Sequence, residues 1–333
     1  MSRARFTREV GGPRAVTLVL GAGVSIDRGA PAWRALSRDL YTKAFGEAPP
    51  ALSSDAADPL SDPMALELVR AHLGEASFAA ALRRRLYARS GGRFRRLPPG
   101  ATLAAVADVV RAQQASPSRR LLRVVSFNAD DHLEREVHRG KGWLGAPIAW
   151  PIARESQPPR ALGKGGRPPV PVYHVHGFLP RDAEGARRAW QDAPDTLVFA
   201  DDEYWASVAE PLSFPNRVLA AALHDSVCVF VGTSMRDHNL LRGLGLRRFA
   251  HLRDARAAGR GDASVTRALA RHFWLTSEAP SPLAEVLERR GVTSVLCDWR
   301  TGDAAELLRR ALLPRAVGAH GVRPPPSDGQ ARD

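Results

Sequence analysis

Residues 16–25 read Val16-Thr17-Leu18-Val19-Leu20-Gly21-Ala22-Gly23-Val24-Ser25, five apolar or β-branched positions running into a Gly-x-Gly turn. An uninterrupted run of this kind predicts a strand covered on both faces, as in a parallel sheet. The turn predicts a helix start whose exposed backbone amides can meet a pyrophosphate. Glycine serves such turns for steric reasons alone as well. The full dinucleotide fingerprint places a third glycine three residues on, where this chain has Ile26, and that disfavours a hydride-transfer enzyme.

Similar runs recur at 121–127, 170–175, 227–231, 272–275 and 292–296, each stopping at small or polar residues. Helix-compatible segments fall between them, at 32–45, 64–72, 75–89 and 101–114 among others. Alternation of strands and helices predicts an α/β fold, a Rossmann-like parallel sheet with helices on both faces. A small, mostly helical insertion is expected over approximately 36–118, in a domain spanning 1–314. Residues 140–171 are dense in Gly and Pro and read as a long loop; 315–333 read as a disordered tail. In open sheets of this kind ligands sit beyond the carboxyl ends of the strands, so several polar strand-ends are expected to face one crevice.

The 333 residues are 44% hydrophobic and 25% charged, a globular composition. Cys228 and Cys297 are the only cysteines, which excludes a disulfide framework and a four-cysteine zinc site. No run is long enough to span a membrane and the first residues lack a signal peptide's apolar core, so a soluble, cytoplasmic protein is expected. The formal net charge is +13, carried by arginine apart from Lys43, Lys141 and Lys164. Such charge suits a polyanion partner. The arginines are dispersed as pairs and triplets along helical segments, however, which reads as solvated helix faces. The tryptophans form no spaced platform for bases, and nucleic acid is expected only indirectly if at all.

Four ordered motifs carry a resemblance. Residues 21–33 (GAGVSIDRGAPAW) resemble the opening motif of the sirtuin superfamily, GAGxS followed by Gly-x-Pro. Ser126-Phe127-Asn128-Ala129-Asp130 resembles its Thr-x-Asn-x-Asp motif, His174-Val175-His176-Gly177 its His-Gly motif, and Gly232-Thr233-Ser234 its Gly-Thr/Ser-Ser turn. Asp237-His238-Asn239-Leu240 and the segment around Asp201-Asp202-Glu203-Tyr204 are similar to stretches of bacterial sirtuin-like defence proteins. The deacetylases' zinc ribbon has no counterpart here, and their Phe-Arg is replaced by Trp33-Arg34 at another spacing. The resemblance is therefore to the branch of prokaryotic anti-phage systems that cleaves NAD, although Ala129 replaces that branch's Tyr.

The resemblance implies an NAD+ hydrolase with no zinc. Asn128 and His176 would be catalytic, Asn128 orienting a water and His176 taking a proton. Gly21, Ala22, Gly23 and Ser25 would hold pyrophosphate. Asp130 would meet ribose or the nicotinamide amide, Gly232, Thr233 and Ser234 the adenosine ribose, and Asp298 would lie beside adenine. Plainer roles exist for each: Asn128 and Asp130 could cap a helix beginning at Asp131, and Cys228 is simplest as core. His174 and His176, two apart, would share one face of a strand; His176 is preferred because it adjoins Gly177. Asp201-Asp202-Glu203 reads as a solvated helix start. An enzyme that depletes NAD must be held silent, so a homo-oligomer or a partner protein of the same system, an ATPase or nuclease, is expected. The alternatives are a non-catalytic NAD or ADP-ribose scaffold, and an NAD-dependent protein deacylase or ADP-ribosyltransferase.

Overall fold

The computed structural model describes residues 2–49, 61–89, 97, 98, 100–139, 147–154, 167–190, 196, 197, 201–278 and 281–313. The expected tail lies outside them.

The strands among the described residues, in chain order, are β1 (Val16–Leu20), β2 (Leu121–Ser126), β3 (Ala149–Ile152), β4 (Val170–His174), β5 (Gly177–Phe178), β6 (Thr196–Leu197), β7 (Val227–Val231), β8 (His272–Thr276) and β9 (Val292–Leu296). Seven of them form one sheet in the order β3-β4-β2-β1-β7-β8-β9. Every neighbouring pair in it is parallel. β5 and β6 make a separate antiparallel pair. The α/β, Rossmann-like expectation holds.

The central strands are apolar throughout because both faces are covered. Side chains alternate along β1: Leu18 and Leu20 join Val229, Val231 and Phe273 on one face, with helices Thr102–Ala115 and Asp303–Leu312. Val19 joins Phe230 and Trp274 on the other, with helices Phe214–Asp225 and His238–Ala257. Each such side chain removed from water contributes about 1.5–3 kcal/mol. Cys228 lies in this second core as expected, and burial pushes its thiol up to about 12.

Helices Trp33–Phe45, Asp62–Leu73 and Glu75–Leu86 form a cap with its own core of Leu36, Leu40, Leu66, Phe78 and Leu82. Ser61 starts the second of them, its hydroxyl accepting from the Met64 amide at 3.4 Å. The fourth helix of the insertion expected over 36–118, Thr102–Ala115, instead packs on the sheet. Its faces show why: the six consecutive residues Thr102, Leu103, Ala104, Ala105, Val106 and Ala107 are all buried, so the helix is covered on every side over its first turns, which a peripheral helix is not. Residues 140–171 also differ from a plain loop, since β3 lies within them. Pro151, which lacks an amide hydrogen, is accommodated because β3 is an edge strand.

Candidate functional site

From β1 the chain moves to one side of the sheet, through β2, β3 and β4, and then crosses to β7 on the other side of β1. The turns after β1 and β7 therefore diverge in their connections while lying side by side. This is the switch point at which such sheets form a crevice. A cleft of about 440 Å³ opens there, between the Gly21 and Gly232 turns and the cap residues Trp33 and Pro63.

The two turns interlock. A Cβ on Gly21 would stand 2.5 Å from Gly232 O, and one on Gly23 would stand 2.7 Å from Gly232 Cα. Gly232 itself has φ +66°. The Gly21 amide donates to Val231 O at 3.0 Å, and the Gly23 amide to Gly232 O at 2.9 Å. These glycines thus serve close approach of two backbones, and their amides are engaged across the turns instead of forming the exposed cradle expected for pyrophosphate. Gly21 and Ala22 line the cleft. Gly23 and the buried Ser25 stand behind that wall.

Asn128 lines the cleft just past β2. Its Nδ2 donates to Gly21 O at 3.0 Å and to Ser25 Oγ at 3.1 Å, so it braces the glycine turn and is not a helix cap. Both amide hydrogens are then used, which leaves Oδ1 as the acceptor available to a water or a ribose hydroxyl. Asp130 is buried, and its Oδ1 accepts from the His132 amide at 3.0 Å. It takes the helix-start role and is not part of the cleft wall.

The two histidines part company. β4 ends at His174, and the chain then turns, with Gly177 at φ +91°. Strand alternation therefore does not reach His176. His174 is buried against Glu134 and Phe178, whereas His176 lines the cleft. The His176 ring meets Phe127 and Tyr204 edge-on, at centroid distances of 5.1 and 5.9 Å.

Asp237 is the residue sequence reasoning left without a role. Its Oδ1 accepts from the Leu240 amide at 2.9 Å, capping helix His238–Ala257. Its Oδ2 accepts from the Tyr204 hydroxyl at 3.1 Å and lies 3.3 Å from His176 Nε2. The two atoms stand within ion-pair distance, but the histidine nitrogen satisfies no hydrogen-bond geometry there. Burial raises the Asp237 carboxyl, but His176, the Leu240 amide and Tyr204 outweigh it and hold the group below the ordinary carboxylate value. Burial and the facing carboxylate push the Tyr204 phenol up, so it remains a donor.

Thr233 and Ser234 line the cleft beside Gly232. The next residue, Met235, has φ +56°, the only such non-glycine among the described residues. A left-handed non-glycine costs about 1–2 kcal/mol. The turn is held by the Met235 amide donating to Thr233 Oγ1 at 3.1 Å and by Trp274 Nε1 donating to Thr233 O at 3.0 Å. Arg236, exposed at the rim, follows it. Asp298 stands apart. It follows β9, three strands from β1 and about 14 Å away by ordinary strand spacing, and its Oδ1 accepts from the Arg300 amide at 2.9 Å.

Of the acidic segment expected as a helix start, Asp201–Ala209 is a helix, and Glu203 pairs with Arg70 at 2.6 Å. Among the described residues no group of three His, Cys, Asp or Glu side chains could hold a metal ion, and no helix is long and apolar enough to cross a membrane. No family model and no curated protein matches this chain.

Proposed function

We propose that the protein is an NAD+ hydrolase. The observation that carries this reading is the meeting of Asn128, His176 and the Gly21 and Gly232 turns, drawn from four separate parts of the chain, at one switch-point cleft.

In the proposed reaction, water adds to C1′ of the nicotinamide ribose as the N-glycosidic bond breaks. The bonding pair leaves with nicotinamide, which becomes neutral. The water's proton passes to a base, and ADP-ribose remains. The developing charge sits on the sugar ring, so the protein's part is to place the water and hold the ribose still. Asn128 Oδ1 would orient the water or a ribose hydroxyl. His176, backed by Asp237, would take the proton, a role suited to imidazole near neutral pH. The aromatic wall of Trp33, Phe127 and Tyr204 offers apolar faces to the base rings, and Arg236 offers a cation to the phosphates. Since uncontrolled loss of NAD is toxic, self-assembly or a second protein would govern the activity.

The test follows nicotinamide and ADP-ribose by chromatography, with the purified protein alone and with proteins encoded beside it. Equimolar nicotinamide and ADP-ribose are expected, lost in Asn128→Ala and His176→Ala. Tight NAD binding without nicotinamide release under every condition would replace the hydrolase with a binding scaffold.

A further inference from the structure

Behind the cleft lies a short helix, His132–Val137, that is unusually polar for its position. Glu134 and Glu136 are both 0% exposed. Removing charges from water is unfavourable, and well-packed apolar pairs commonly serve stability as well or better. Two buried carboxylates on one six-residue helix therefore ask for a reason beyond stability.

Their partners supply it. Glu134 Oε1 lies 2.8 Å from His174 Nε2, and His174 Nδ1 lies 2.7 Å from Asn128 O. With the ring protonated, both nitrogens donate, one to the carboxylate and one to the carbonyl of the residue whose side chain faces the cleft. Glu136 accepts from Arg28, the last residue of the 3-10 helix Ala22–Arg28 that carries the glycine turn. Arg139 Nε secures the other carboxylate oxygen of Glu136 at 2.9 Å. Two positions apart on a helix are separated by about 200° around the axis. One short helix can therefore reach His174 on one side and Arg28 on nearly the other.

We infer that Glu134 and Glu136 are positioning residues that clamp the two halves of the cleft from behind, Glu134 through His174 onto Asn128 and Glu136 through Arg28 onto the glycine turn. The inference rests on the reading of Asn128 as the group that orients the attacking water. It divides the labour: Glu134 governs placement of the reactive amide, and Glu136 governs the wall against which the dinucleotide would lie.

Glu134→Gln and Glu136→Gln keep size and remove the charge. In the full-length protein, Glu134→Gln is expected to lower kcat for NAD+ about 10- to 100-fold with KM changed less than about twofold, the cost of a misplaced group. It should also displace the Asn128 side-chain amide resonances, assigned by their loss in Asn128→Asp. Glu136→Gln is expected to raise KM several-fold and to leave those resonances in place. Equal effects of the two variants on kcat and KM, or lowered melting with unchanged rates, would show merely structural pairs and overturn the clamp. If the parent releases no nicotinamide, the hydrolase reading fails by itself. The Asn128 resonances still judge the clamp, and unmoved signals in Glu134→Gln overturn it. Should Glu134→Gln not fold, His174→Asn retains a donor at the Nδ1 position toward Asn128 O and His174→Ala does not. Only the alanine variant is expected to displace the signals, and the reverse order sinks the idea.

Discussion

His176 Nε2 stands 3.3 Å from Asp237 Oδ2, in a contact that joins the turn after β4 to the first turn of helix His238–Ala257. Asp237 has two separable jobs, capping that helix and facing the histidine with charge. Asparagine caps nearly as well as aspartate. Asp237→Asn should therefore leave stability within about 1 kcal/mol of the parent, while NAD+ turnover falls on the order of 10- to 100-fold. Thermal melting beside initial rates checks this; parallel loss of both would mean that Asp237 only caps.

Gly232 is fixed by contact as well as by conformation, since a Cβ there would stand 2.7 Å from the Val24 nitrogen. Gly46 has a similar φ of +78° with nothing near. Gly46→Ala should cost about 1 kcal/mol, the conformational part alone. Gly232→Ala should cost about 2–4 kcal/mol, because backbone must also shift. Urea unfolding of the two variants measures the difference, and equal costs would remove the interlock of the two turns.

Asp131 is fully buried. Burial raises its carboxyl to about 7, Arg135 offsetting this only in part and Glu134 and Asp130 adding to it. The fold thus favours the neutral acid. Its contribution to stability is greatest below the ordinary value of 3.8 and is lost as pH rises from there through about 7. Asp131→Asn should match the parent near pH 4 and exceed it near pH 8 by up to about 4 kcal/mol. Denaturant unfolding at both pH values reads this out; a variant less stable at the higher pH would reverse the sign.

His174 behaves in the opposite sense. Burial lowers its basicity, but the Glu134 carboxylate and the hydrogen bonds to Glu134 and Asn128 outweigh it, so the imidazolium is favoured. The stability this gives is fully present below the ordinary value of 6.5 and is lost as pH rises through the higher folded value. His174→Gln should consequently destabilise more at about pH 6 than at about pH 9. A penalty that grows with pH would contradict the charged pair.

Neither thiol should react in the native state. Cys228 and Cys297 are 0% and 1% exposed, and burial pushes both up to about 12, so the thiolate is scarce. Mass spectrometry after iodoacetamide treatment at neutral pH should find both unmodified until denaturant is added. Labelling of native Cys228 would mean that β7 opens readily.

The central strands were legible because burial on both faces writes itself as unbroken apolar runs, as in Val16–Leu20 and Val227–Val231. β3 was hidden because an edge strand tolerates Pro151 within a Gly- and Pro-rich stretch. Asn128 and His176 could be placed at strand ends from local sequence, and the cleft brings them together. Asp237 could be quoted as part of a motif but not given a task, since its meeting with His176 and Tyr204 depends on tertiary packing across distant segments. The engagement of the Gly21 and Gly23 amides was likewise invisible, being decided by a turn more than two hundred residues away. The expected run of 170–175 overshoots β4 by one residue, and the turn that follows His174 sends one ring inward and the other into the cleft.

The cap's separate core has a consequence for motion. Its helices bury their leucines mainly among themselves, while the Tyr87 hydroxyl reaches the sheet side by donating to Leu179 O and accepting from the Asp131 amide, each at 2.9 Å. A cluster with its own core can open as a cooperative unit below the free energy of global unfolding. Amides of Asp62–Leu73 should then exchange with solvent in one tier and those of β1 and β7 in a slower one. The wall that carries Trp33 would loosen while the strands beneath it remain closed.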